Sequence, residues 1–206
     1  MFRSLAMIAS LVALAPSVHA EDAKAVAASL KQGGYVIVFR HGATTADKGG
    51  ADPMGAGRGK STATERQLSP RGRQAAREIG DAFKTLHIPI GVVYTSQLQR
   101  ALDTGRLISG KEVTTTADLS EAGEHVTPAE KDRRAEAMLK IAATQPAKGT
   151  NTVVVSHKPN IVDAFGKDWS DVGEGEASIF KPDGSGKFVF VGRVQANDWS
   201  ELAKRR

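Results

Sequence analysis

The chain has 206 residues, 40% of them hydrophobic and 25% charged, which predicts one compact domain with a substantial core and excludes global disorder. It contains no cysteine, which removes thiolate nucleophiles, thiolate metal sites, redox dithiols and disulfide frameworks. The formal charge of +5 suits small anionic partners, whereas 5% aromatics and no recognisable binding module point away from nucleic acid.

Residues 1–20 read as a cleaved secretory signal. Arg3 gives a short basic start, residues 5–15 form an apolar run of eleven, and Val18-His19-Ala20 offers small residues for cleavage ahead of acidic Glu21-Asp22. The run is too short to span a bilayer, so a cleaved leader is preferred to a buried helix or an anchor. Residues 21–206 are then expected to be a single extracytoplasmic domain, periplasmic in a Gram-negative source, with no stable membrane insertion. Loss of Arg3 would leave 27 basic against 23 acidic residues.

A helix is expected over 23–31 and, after Gly33-Gly34, a strand over 35–39. The stretch 44–64 is glycine-rich and poor in apolar residues, which marks a long loop. Within it, Gly55-Ala56-Gly57-Arg58-Gly59-Lys60-Ser61-Thr62 imitates a nucleotide-binding loop. The first glycine of that motif would have to stand where Met54 is, and no strand leads in. It reads instead as a flap, with Arg58 and Lys60 either touching substrate or simply solvated. Ser69-Pro70 sets a helix start, and Ala75, Ala76, Ile79, Ala82, Phe83 and Leu86 give that helix one apolar stripe.

A strand over 92–94 and a helix over 98–108 follow, with Ser96 read as the helix cap. Thr127-Pro128-Ala129-Glu130 opens another helix through about residue 143. The run 152–155 reads as a strand. Residues 178–180 and 188–194 read as a closing hairpin around Pro182-Asp183-Gly184-Ser185-Gly186. The three short β-branched runs look buried on both faces. Strands alternating with helices predict a three-layer α/β/α sandwich with a mostly parallel sheet.

The polar residues fall where such a fold places chemistry. Arg40-His41-Gly42 follows the first strand, Ser96 and Arg100 the second, Ser156-His157 the third. In open parallel sheets ligands bind beyond the carboxyl ends of the strands. Two arginines can grip a phosphate dianion bidentately, one imidazole can attack phosphorus, and a second, protonated, can steady the equatorial oxygens. No metal or cofactor is required for such a step.

Those motifs, with Gln97-Leu98-Gln99 and Ala101-Leu102-Asp103-Thr104-Gly105 around Arg100, Val153-Val154-Val155 before Ser156-His157, and Leu68-Ser69-Pro70-Arg71-Gly72-Arg73-Gln74-Ala75 between, resemble the histidine phosphatase superfamily, also called phosphoglycerate mutase-like. The resemblance covers roughly 35–160. It implies hydrolysis of a small phosphorylated substrate through a phosphohistidine, with His41 as nucleophile and Arg40, Arg100 and His157 around the phosphoryl group. It places the proton donor at Glu121, within Leu119-Ser120-Glu121, with Glu124 as the alternative. Two other outcomes stay open: a phosphomutase, against which the missing mutase motif counts, and a phosphate-binding protein without turnover. Lys158 and Asn160 stand where they could reach the pocket rim.

Overall fold

A computed structural model of the chain describes residues 20–45, 66–121 and 126–204. Residues 1–19 of the proposed leader, the 55–62 segment with Arg58 and Lys60, and Glu124 lie outside these residues. Six strands form one sheet in the order β3-β2-β4-β1-β5-β6, with β1 Val36–Arg40, β2 Ile90–Thr95, β3 Thr114–Thr115, β4 Asn151–Ser156, β5 Ala177–Pro182 and β6 Phe188–Val194. The pairs β1–β4, β2–β4 and β2–β3 run parallel; β1–β5 and β5–β6 run antiparallel. The mostly parallel sheet is therefore as expected, with the 178–194 hairpin at its edge.

Among the described residues six α-helices cover the sheet: α1 Ala20–Leu30, α2 Pro70–Thr85, α3 Gln99–Ser109, α4 Pro128–Ala142, α5 Lys158–Phe165 and α6 Asp198–Lys204. One core lies beneath α1, α2, α3 and α6, where Leu30, Ile37, Phe39, Ile79, Phe83, Val153, Val155 and Trp199 meet. The other lies beneath α4 and α5 and joins Val36, Val38, Val154, Met138, Ile161 and Phe180. Alternate residues of β1 and β4 thus enter opposite cores, and this explains their uninterrupted apolar runs.

The strand β2 departs from the expectation of burial on both faces, since Val92 is 44% exposed. Its outer neighbour, β3, pairs only with Tyr94 and Thr95, and its register against β4 shifts between Ile90 and Val93. The first half of β2 is consequently sheet edge. Among the described residues no helix is long and apolar enough to cross a membrane.

The start of α2 fixes the chain leaving β1. Ser69 Oγ accepts the Gly72 N–H at 3.0 Å and donates to the Ala43 carbonyl at 3.1 Å, with Pro70 in the first turn. Thr44 bridges to Leu68. This close approach needs a residue without a side chain, because a Cβ on Gly72 would lie 2.0 Å from the Ala43 oxygen. Replacing Gly72 with alanine should therefore cost about 3 kcal/mol, the upper end of overpacking penalties. Urea denaturation of the variant measures that loss.

Candidate active site

The carboxyl ends of β1, β2 and β4 bring His41, Arg40, Arg100, His157 and Glu121 together. His41, just past β1, is only 3% exposed, and its ring centroid stands 5.1 Å from that of His157, which follows β4. Arg100, in the first turn of α3, has no exposed surface, yet its Nη2 bonds Glu121 Oε2 at 2.6 Å. The same oxygen lies 3.7 Å from His157 Nδ1. Arg40 ends β1, donates from Nη1 to the Val172 carbonyl at 2.8 Å, and pairs through Nη2 with Glu174 at 3.6 Å. The Arg40 Nε is buried without a hydrogen-bond partner.

The two imidazoles are oriented by different partners. His41 Nδ1 lies 2.8 Å from the Gly42 carbonyl, which can only accept, so Nδ1 carries the proton and Nε2 the lone pair. His157 Nε2 lies 2.7 Å from Ser96 Oγ, which also accepts the Leu98 N–H at 3.1 Å. A serine hydroxyl donating to Nε2 leaves a proton on Nδ1, the nitrogen that faces the Glu121 carboxylate. Ser96 is therefore a partner of His157 and not the cap of α3, whose N-cap position is Leu98 with no side-chain bond.

Burial first, and then the charges of Arg100, Arg40 and Arg66, push the His41 pKa down to about 3. Burial likewise holds His157 well below its ordinary value, with His41 and the same three arginines adding to the effect. Both rings are thus neutral near neutrality. Arg66 was not read from the sequence, although its charge is felt at Arg40, His41 and His157. Its neighbours tie it to the end of β1: Leu68 bridges to Thr44, and Thr45 N–H bonds the Gln67 carbonyl at 3.1 Å.

Glu121 is delivered by its neighbours. Ser156 Oγ bonds the Leu119 carbonyl at 2.8 Å, and the Ser120 carbonyl accepts from Asn160 at 3.0 Å and Arg134 at 2.9 Å. Ser120 Oγ accepts the Gln97 N–H at 3.0 Å. Asn160 thus acts behind the pocket and not at its rim. On the opposite side, Thr104 Oγ1 accepts the Gly42 N–H at 3.0 Å and donates to the Arg100 carbonyl at 2.7 Å. A cavity of about 330 Å³ adjoins the cluster, bounded by Gly42, Thr104, Arg71 and Glu174 among others. Among the described residues no group of three or more His, Asp or Glu side chains could hold a metal ion.

The model of the histidine phosphatase superfamily (branch 1) matches residues 36–126 of this chain, which carry His41, Arg100 and Glu121. The family recognised in the strand-end motifs is the family found. The fold is shared with solved phosphatases. A variant of phosphoserine phosphatase from Entamoeba histolytica, in complex with phosphoserine, is 18% identical, with 80% of this chain and 98% of that chain covered at a TM-score of 0.55. The complex of phosphoserine phosphatase from the same organism with 3-phosphoglyceric acid gives 19%, 80%, 98% and 0.56. The protein histidine phosphatase SixA complexed with tungstate gives 15%, 80%, 98% and 0.55. At such identities the likeness is one of fold. No curated protein sequence matches the chain.

The depressed His41 pKa has a consequence for stability. The unfolded chain binds a proton at His41 below its ordinary value of 6.5, whereas the folded site stays neutral down to about 3. Folding stability should therefore fall as pH drops from 6.5 toward 3 and be free of this loss above 6.5. Substituting His41→Gln removes that share. Its urea midpoint should drop less than that of the wild type between about pH 7 and about pH 4.

Proposed function

We propose that this protein is a metal-independent phosphomonoester hydrolase working through a phosphohistidine at His41. The observation that supports this best is the pairing of a buried neutral imidazole, its Nε2 lone pair available, with a buried arginine that already grips a carboxylate. A phosphate dianion has the charge and oxygen geometry to take the carboxylate's place on Arg100, with Arg40 as the second guanidinium.

The sequence of steps follows from those atoms. His41 Nε2 donates its electron pair to phosphorus as the ester P–O bond breaks in line. Glu121, displaced from Arg100 and protonated, gives its proton to the departing oxygen. Arg40, Arg100 and the Nδ1–H of His157 hold the equatorial oxygens, which carry the charge of the transition state. Water then attacks phosphorus, its proton passes to Glu121, and the N–P bond breaks to release orthophosphate and restore His41. The guanidinium pair supplies the positive charge for which other phosphatases use a metal.

The leader features at residues 1–20 support export, so the substrate class we propose is small extracytoplasmic phosphate esters, such as sugar or other organic phosphates. The mature protein should hydrolyse such esters, and His41→Ala should lose turnover altogether. A phosphate-binding protein would keep phosphate affinity with no turnover in the wild type, and a phosphomutase would return the group to an acceptor instead of water. Glu121→Gln should lower hydrolysis of an alkyl phosphate by about 10²–10⁴-fold and leave an activated aryl phosphate far less affected. Equal losses on both substrates would remove Glu121 from the donor role. A panel assay with both esters measures this.

A further inference from the structure

One buried carboxylate has no part in these steps. Glu176, immediately before β5, is 1% exposed. Its Oε2 accepts the Gly173 N–H at 2.9 Å and the Gln195 side-chain amide at 2.7 Å. Its Oε1 is bound by Arg193 of β6, which also reaches Asp171 at 2.8 Å. Removing two charges from water is costly, and apolar replacements of buried pairs are often neutral or stabilising. Net stability is therefore a poor account of this group.

Position is a better one, because the segment it holds wraps the Arg40–His41 pair. The Val172 carbonyl accepts from Arg40 Nη1 at 2.8 Å. The Gly175 N–H bonds the Arg40 carbonyl at 3.1 Å and the His41 carbonyl at 3.0 Å, and the Glu176 carbonyl accepts the Arg40 N–H at 3.1 Å. One end of the segment is anchored by the buried side chain of Val172. Beyond it come Gly173, Glu174 and Gly175, with no apolar side chain and two glycines whose backbone freedom is wide. The Glu176 carboxylate is what closes the other end. The whole clamp lies outside residues 36–126, the part of the chain that matches the family model.

We infer that Glu176, clamped by Arg193 and Gln195, is a positioning residue that fixes the 172–175 backbone and so aims the Arg40 guanidinium at the phosphoryl group. This rests on the phosphatase reading for the role of Arg40, and Glu176 itself touches no substrate.

The test is a set of orthophosphate affinities measured by calorimetry, beside KM and kcat for an aryl phosphate. Glu176→Gln should weaken orthophosphate and raise KM by about tenfold, within the range that a small misplacement of a clamping group produces, with a smaller change in kcat. Gly173→Ala perturbs the same clamp without removing charge, since its methyl would lie 3.3 Å from both Glu176 Oε2 and Gln195 Oε1. It should move affinity in the same direction. Arg193→Lys, which keeps the charge but not the fork, should fall between the wild type and Glu176→Gln.

In an Arg40→Met background, Glu176→Gln should add nothing further if it acts through Arg40. Leu30→Val, in the buried end of α1 beside Asn151 at the start of β4, lowers melting temperature away from the site and should leave affinity unchanged. The inference is overturned if Glu176→Gln and Gly173→Ala bind orthophosphate as the wild type does, if the loss in Glu176→Gln adds to that of Arg40→Met, or if Leu30→Val reproduces these losses. A wild type that binds orthophosphate but hydrolyses no ester would remove the phosphatase reading while these affinity ratios still decide the inference.

Discussion

A guanidinium with no exposed surface must be given an anion, and that requirement at Arg100 organises the site. In the free protein Glu121 meets it, with Nη2 and Oε2 only 2.6 Å apart. The backbone that carries it is held from three directions, since Ser156 at the end of β4 bonds the Leu119 carbonyl and Asn160 on α5 and Arg134 on α4 bond the Ser120 carbonyl. The same 3.7 Å neighbourhood that satisfies Arg100 brings Glu121 to His157. Counter-ion and candidate acid are one group because only one anion at a time can occupy the space.

The positive charge acts on the imidazoles as well. Arginines around a histidine make its protonated form unfavourable, and burial works in the same direction. A neighbouring base is therefore not needed to free the His41 lone pair. The Gly42 carbonyl then selects the nitrogen, since it accepts only the proton of Nδ1. Orientation and protonation state arise from separate sources, the backbone for one, and burial reinforced by the arginines for the other.

Much of this arrangement was legible in the chain. The runs before Arg40 and His157 are unbroken because β1 and β4 are central strands between two cores, and Ser69-Pro70 announced the helix start that it forms. Features depending on distant partners were not legible. Nothing near Glu176 marks it as buried, since that follows from Arg193 and Gln195 arriving across the hairpin. Ser96 has the residue type of a helix cap, and only the fold turns its hydroxyl to His157. Arg66 stands outside any periodic pattern, so its place beside the strand ends had no local signature. The two-residue β3 is too short to leave one.

The Thr104 hydroxyl accepts a hydrogen bond from the Gly42 N–H, beside His41, and donates one to the carbonyl of the buried Arg100. Two parts of the chain 62 residues apart are thereby spliced into one block. The end of β1 and the first turn of α3 thus keep their spacing through a single hydroxyl. Removing that one oxygen would unfasten His41 and Arg100 from each other at once, although Thr104 carries no charge.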